Sequence, residues 1–175
     1  MLLHSFITMK SLFLSLFIAV IMSSTTSAQN AAPCSSPECA QFDFWVGDWD
    51  LIYNDTVHAA NSITKEMGGC LIHEHFKDPS HKYTGESWSV YSPAKKLWQQ
   101  TWVDDQGAYI VLTGNFTDGK MILFTGPALL PDGTRIQNRM TFHNITPDSF
   151  DWDWESTTDE GKTWKNNWHI HYQRS

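Results

Sequence analysis

The sequence has 175 residues, of which 41% are hydrophobic, 14% aromatic and 18% charged. This apolar and aromatic content excludes an intrinsically disordered chain, and the length suits one domain with a sizeable core. The net charge of −7 disfavours contact with phosphate backbones, so nucleic acid is not expected as a partner.

Residues 1–28 are predicted to be a secretory signal peptide. Lys10 precedes an apolar run over residues 12–22, and small residues then lead to Ala28. An uncleaved anchor is the alternative, but the run is shorter than the roughly 20 residues that span a bilayer, so stable membrane insertion is not expected. We therefore expect an exported protein, periplasmic or secreted, with a polar linker over residues 29–39 and a folded domain over residues 40–175.

Three cysteines are compatible with a disulfide in an exported protein. Cys34 and Cys39 could close a small loop within the linker, which would leave Cys70 as a buried thiol. The other pairings stay open, because connectivity cannot be deduced from sequence.

The folded domain is predicted to begin with a short helical turn over residues 40–46 and to continue almost entirely as strands. Aromatic and β-branched residues dominate these segments, and turn signals such as Asp118-Gly119 separate them. The ten predicted strands lie near residues 48–54, 60–66, 70–77, 83–92, 96–104, 107–116, 120–127, 134–145, 149–156 and 163–174. Closure of such a meander removes its exposed edges. We therefore predict an all-β, closed, up-and-down antiparallel barrel of about ten strands, with a two-sheet sandwich as the alternative.

Residues at the beginning and at the end of the predicted barrel together form a recognisable motif. Gly47 and Trp49 lie where the helical turn meets the first strand, and Arg174 follows the last strand. This arrangement resembles the Gly-x-Trp motif of lipocalin-like barrels, in which the Trp closes the barrel floor and an Arg stacks on the indole.

A wider resemblance covers about residues 42–174. Residues 42–49 (Phe-Asp-Phe-Trp-Val-Gly-Asp-Trp) resemble the opening signature of a bacterial family of lipocalin-like domains of unknown function. Later matches follow in order at Asn61-Ser62-Ile63, Gly69-Cys70 with Glu74, residues 98–104, Trp154-Glu155 and residues 161–164. Gln99 and His75 depart from the family pattern. The resemblance implies a barrel with an internal cavity, and it transfers no catalytic residue.

One strand places an acid among apolar neighbours. Alternation puts Ile72, Glu74 and Phe76 on one face. If that face points inward, Glu74 must pair with a cation or have a raised pKa. Arg139, on a polar strand face, is the candidate partner or carboxylate clamp for a ligand, although a structural ion pair or a solvent-facing position is the favoured alternative.

Aromatic side chains in a barrel interior could stack on a ring-shaped ligand. The candidate ligand-binding residues are Tyr91, Trp88, Trp102, Gln100, Arg139 and Trp154. The alternative for each aromatic residue is that it fills the core.

The histidines suggest a metal hypothesis that we do not favour. His73 with His75 and His169 with His171 form two His-x-His pairs, which could chelate zinc or copper if their strands were neighbours. Solvent-facing histidines are the simpler interpretation. No metal and no cofactor is therefore predicted.

Three functions remain. The leading hypothesis is an exported lipocalin-like barrel that binds a small hydrophobic or aromatic ligand, with a homodimer left open. The second is a barrel enzyme of hydrolase, isomerase or lyase type, in which Glu74 acts as acid or base and Arg139 stabilises an anion. The third is a carbohydrate-binding module with exposed Trp platforms.

Overall fold

The computed structural model describes residues 32–175. The predicted signal peptide and the first residues of the predicted linker lie outside the described residues. Within residues 32–175, no helix combines the length and the apolar character needed to cross a membrane.

Eleven strands make up the sheet. They are β1 (Gly47–Tyr53), β2 (Thr56–Glu66), β3 (Leu71–Asp78), β4 (Tyr83–Ser92), β5 (Leu97–Asp104), β6 (Tyr109–Thr117), β7 (Lys120–Thr125), β8 (Ala128–Leu129), β9 (Arg135–His143), β10 (Ser149–Thr157) and β11 (Lys165–Arg174). Strands β1 to β7 lie side by side in chain order, each antiparallel to its neighbours. Strand β7 then pairs with β9, β9 with β10, β10 with β11, and β11 with β1. Ten strands thus close a barrel, and the two-residue β8 pairs with β9 beside it. The predicted closed up-and-down barrel is confirmed.

Tight turns fix the strand boundaries. Asp118 and Gly119 have φ values of 51° and 75°, as a primed turn between β6 and β7 requires. Asn54 and Asp55 also have positive φ, at 52° and 60°, and join β1 directly to β2. The predicted second strand begins four residues too late because Asn and Asp tolerate this left-handed conformation and make so short a turn possible.

The N-terminal segment closes one end of the barrel, which we call the floor. It forms two short 3₁₀ helices, Pro37–Ala40 and Asp43–Trp45, in place of the single turn predicted over residues 40–46. Phe42 is fully buried, and its ring centroid lies 4.8 Å from that of Trp98 and 5.5 Å from that of Phe142. The fully buried Trp49 donates a 2.7 Å hydrogen bond from Nε1 to the Trp45 carbonyl oxygen.

Arg174 covers the floor from outside. Its guanidinium carbon lies 4.2 Å from the Trp49 ring centroid, and its Nε donates to the Pro147 carbonyl oxygen at 3.0 Å. Gly47 has φ +132°, and a Cβ at this position would lie 2.2 Å from Arg174 Nη1. The structure therefore brings Gly47, Trp49 and Arg174 together, and glycine is the residue that leaves space for the guanidinium.

Replacing Arg174 with alanine should lower the free energy of unfolding by about 1–2 kcal/mol, since it removes a cation–π contact and hydrogen bonds to carbonyl oxygens. Urea denaturation measures this change. Arg135→Ala, the same substitution at an exposed position of β9, is the matched control and should lower the free energy of unfolding by less. Equal losses in the two variants would show that the stacking contributes nothing.

The structure decides among the cysteine pairings that the sequence leaves open. Cys34 is bonded to Cys70, with their Cα atoms 5.1 Å apart, and Cys39 is a buried free thiol. The loop considered between Cys34 and Cys39 does not form, because the first 3₁₀ helix turns Cys39 into the core while Cys70 lies just before β3. The segment before the barrel is thereby tied to β3.

Candidate functional site

A cavity of about 220 Å³ lies inside the barrel. Its inner end is formed by buried side chains that include Trp45, Phe142 and Tyr172. Its other end is bordered by half-buried rings, namely Tyr83, Trp102, Trp152, Trp154 and Trp168. These rings lie at the strand ends opposite the floor, so the cavity opens away from the N-terminal segment.

The aromatic rings that line the cavity are oriented at different angles to one another. The Trp152 and Trp154 rings are nearly parallel, with 10° between their planes. Trp168 stands at 85° to Trp152 and at 81° to Phe76. Ring faces and ring edges are therefore both available, which suits a flat ring inserted among them.

Glu74 is the one acidic or basic side chain among the described residues that line the cavity. It lies at the centre of β3 and is 7% exposed. Its Oε1 accepts a 2.7 Å hydrogen bond from Asn61 Nδ2, and its Oε2 accepts one from the Ser87 hydroxyl. Burial raises the pKa of Glu74 to about 7, although these two hydrogen bonds favour the ionised form.

Buried polar side chains on the neighbouring strands form a hydrogen-bonded network around Glu74. Gln100 Nε2 donates to the hydroxyl oxygens of Ser87 at 3.2 Å and Ser89 at 3.0 Å. Asn61 Nδ2 also lies 3.3 Å from the Tyr172 hydroxyl oxygen. Burial raises the pKa of Tyr172, so this phenol keeps its proton at neutral pH. Glu74 is thus held by neutral side chains on β2 and β4.

Three of the predicted site residues line the cavity, namely Glu74, Trp102 and Trp154. Gln100 is buried in the wall and reaches Glu74 through Ser87. Tyr91 lies near the floor against Trp98, with 5.9 Å between ring centroids, and is not a lining residue.

Trp88 is on the outer face of the barrel. Its ring stacks on His73 at 5.1 Å. The inward residues in the middle of β4 are instead small, since Gly85, Ser87 and Ser89 are buried. The structure therefore does not bring Trp88 to the cavity, because the large ring takes the outer side of its strand.

Arg139 also lies outside the cavity. Its Nε and Nη2 donate to the Glu155 carboxylate at 2.6 Å and 2.9 Å, and its guanidinium carbon is 4.1 Å from the Trp164 ring centroid. Met140 and Phe142 take the inward positions of β9 and leave Arg139 on the other face. The structure therefore does not bring Arg139 to the cavity as a clamp, and the favoured alternative, a structural ion pair, is the arrangement found.

The predicted set omits several residues that build the site, among them Phe76, Tyr83, Trp152, Trp168, Asn61 and Ser87. A signal for Trp168 exists in the sequence, because Trp168, Ile170 and Tyr172 alternate with histidines along β11. Asn61 and Ser87 give no such signal, since their role depends on two strands that flank β3.

The two His-x-His pairs do not converge, because β1 and β2 separate β3 from β11. Each pair instead belongs to its own group of polar side chains. His73 lies near Glu66 and Glu86, whereas His169 contacts Asp153. These contacts form two clusters of His and carboxylate side chains on the barrel exterior, away from the lining residues of the cavity, and each cluster brings three possible metal-ligand atoms within 4.8 Å of one another.

Comparison of the chain with models of known protein families and with curated proteins gives no match.

Proposed function

We propose that the protein binds a small, mainly apolar molecule containing an aromatic ring in the barrel cavity. The observation that carries the proposal is the cavity of about 220 Å³, open at one end and lined mostly by aromatic and aliphatic side chains. Sites for drug-sized ligands occupy roughly 300–1,000 Å³, so this cavity suits a molecule of one or two rings.

We also propose that the chain is exported and is related to the lipocalin-like domains that its opening signature resembles. The Cys34–Cys70 disulfide supports export, because such bonds persist in oxidising compartments. The closed antiparallel barrel supports the relationship.

An enzyme is the second candidate, favoured by one observation. Glu74 is a buried carboxyl group in a cavity with a pKa of about 7, which suits proton transfer near neutral pH. Arg139, the proposed anion-stabilising partner, lies on the other side of the barrel wall. Binding without a reaction is therefore better supported. A carbohydrate-binding module is less favoured, since the Trp rings at the opening line a cavity rather than an exposed platform.

Trp102→Ala should weaken ligand binding about tenfold, because it removes a ring worth about 1.4 kcal/mol from the cavity opening. The measurement is a fluorescence titration with 6-propionyl-2-dimethylaminonaphthalene, a neutral, environment-sensitive probe with two fused rings, which should give a saturable signal with the unchanged protein. Trp88→Ala removes the same side chain from the outer face and should leave the affinity unchanged. Absence of a saturable signal, or an equal loss in both variants, would contradict the proposal.

A further inference from the structure

The cavity combines aromatic walls with a single carboxylate, and this combination indicates a class of ligand. We infer that the cavity selects a protonated amine attached to an aromatic ring, with its ammonium group at Glu74 and its ring between the Trp side chains. The inference rests on the proposed binding function and specifies the ligand for the same site.

The first argument is charge compensation. Glu74 is buried, and the described residues that line the cavity include no Lys, Arg or His side chain. A buried charge is costly without a counter-charge. A ligand ammonium would supply that counter-charge, whereas a ligand carboxylate would be repelled.

The second argument is the direction of the hydrogen bonds around Glu74. Ser87 Oγ accepts from Gln100 Nε2, and its own hydroxyl hydrogen is directed to Glu74 Oε2. Asn61 Nδ2 can only donate, and it does so to Oε1. Both neighbours therefore favour an acceptor at Glu74, which is the ionised carboxylate. That carboxylate keeps further lone pairs for an ammonium donor.

The third argument concerns the rings. The face of an aromatic ring attracts a cation through the ring quadrupole, and indole does so most strongly. Phe76 follows Glu74 by two residues on the same strand face, and it stands at 81° to Trp168. A cation near Glu74 therefore has aromatic surface beside it, and the apolar part of the ligand can extend toward Trp152 and Trp154.

The test compares three ligands of similar size that differ in charge: phenethylamine, phenethyl alcohol and hydrocinnamate. Calorimetric titration at about pH 8 keeps Glu74, with its pKa of about 7, mostly ionised. We expect phenethylamine to bind at least about tenfold more tightly than phenethyl alcohol, and hydrocinnamate to bind more weakly than both.

Glu74→Gln should remove the preference for the amine. Phenethylamine and phenethyl alcohol should then bind this variant with about the same affinity. Glu160→Gln, the same substitution at an exposed turn away from the cavity, is the matched control and should retain the preference. If Glu74→Gln fails to fold, the comparison of the three ligands on the unchanged protein still decides. Equal affinities for the three, or a preference for hydrocinnamate, would overturn the inference while leaving the binding function intact. If neither these ligands nor the two-ring naphthalene probe binds, the proposed function itself is wrong.

Discussion

Replacing both Cys34 and Cys70 with serine should lower the free energy of unfolding by about 3–4 kcal/mol. The disulfide joins residues that are 36 positions apart, so its loss releases a long loop in the unfolded chain. In the chain-entropy account, a longer closed loop gives a larger stabilisation. The bond also holds the segment before the barrel against β3, next to the 3₁₀ helices that form the floor.

Urea denaturation with and without a reductant measures this effect. The reductant should destabilise the unchanged protein by a similar amount and should leave the double variant unaffected. Cys39→Ala, which removes the buried free thiol, should keep the sensitivity to reductant. A protein whose unfolding does not respond to reduction would contradict the prediction.

Glu74→Gln should make the protein more stable than the unchanged chain at pH 8 by about 3 kcal/mol, an advantage that is absent at acid pH. The pKa of Glu74 rises from 4.5 to about 7 on folding, because the carboxyl is buried. Between these values the folded state binds more protons than the unfolded state, so stability falls as pH rises. The contribution of Glu74 is fully present below about pH 4.5 and is lost as pH rises through about 7.

The measurement is a series of urea denaturation curves from pH 4 to pH 8 for both proteins. Subtracting the two free energies of unfolding at each pH removes the contributions of groups that titrate equally in both proteins. Asp78 is one such group: burial raises its pKa, but hydrogen bonds from Ser80, Tyr53 and His81 outweigh burial and lower it. Glu160→Gln, at an exposed turn, is the control and should run parallel to the unchanged protein. A constant difference between Glu74→Gln and the unchanged protein across the series would show that the pKa of Glu74 does not rise on folding.

The alternation of residue types in the sequence determined much of the barrel. The period of two along β3 placed Glu74 on the same face as Ile72 and Phe76, and the structure has all three buried. Turn residues such as Asp118-Gly119 set the hairpins, because few residue types accept positive φ. These features are local, so they could be predicted without knowing which strands lie side by side.

Alternation also divides a strand into two faces without saying which face is inward. On β4 the inward face carries Gly85, Ser87 and Ser89, while the larger Trp88 lies outside. The reason is volume, since a Cβ at Gly85 would lie 2.1 Å from the Trp102 ring. A large side chain from β5 therefore requires a small one on β4, and hydrophobicity alone points to the wrong face.

The sequence by itself determined an all-β chain of about ten strands, with Trp49 and Arg174 at its two ends and an unusual acid in β3. Only the tertiary structure decided that Arg139 pairs with Glu155 outside the cavity, that Cys34 bonds to Cys70, and that the Trp rings leave a space instead of filling it. Local patterns depend on neighbours along the chain. Ion pairs, disulfides and cavities depend on distances between strands far apart in sequence, which closure of the barrel alone sets.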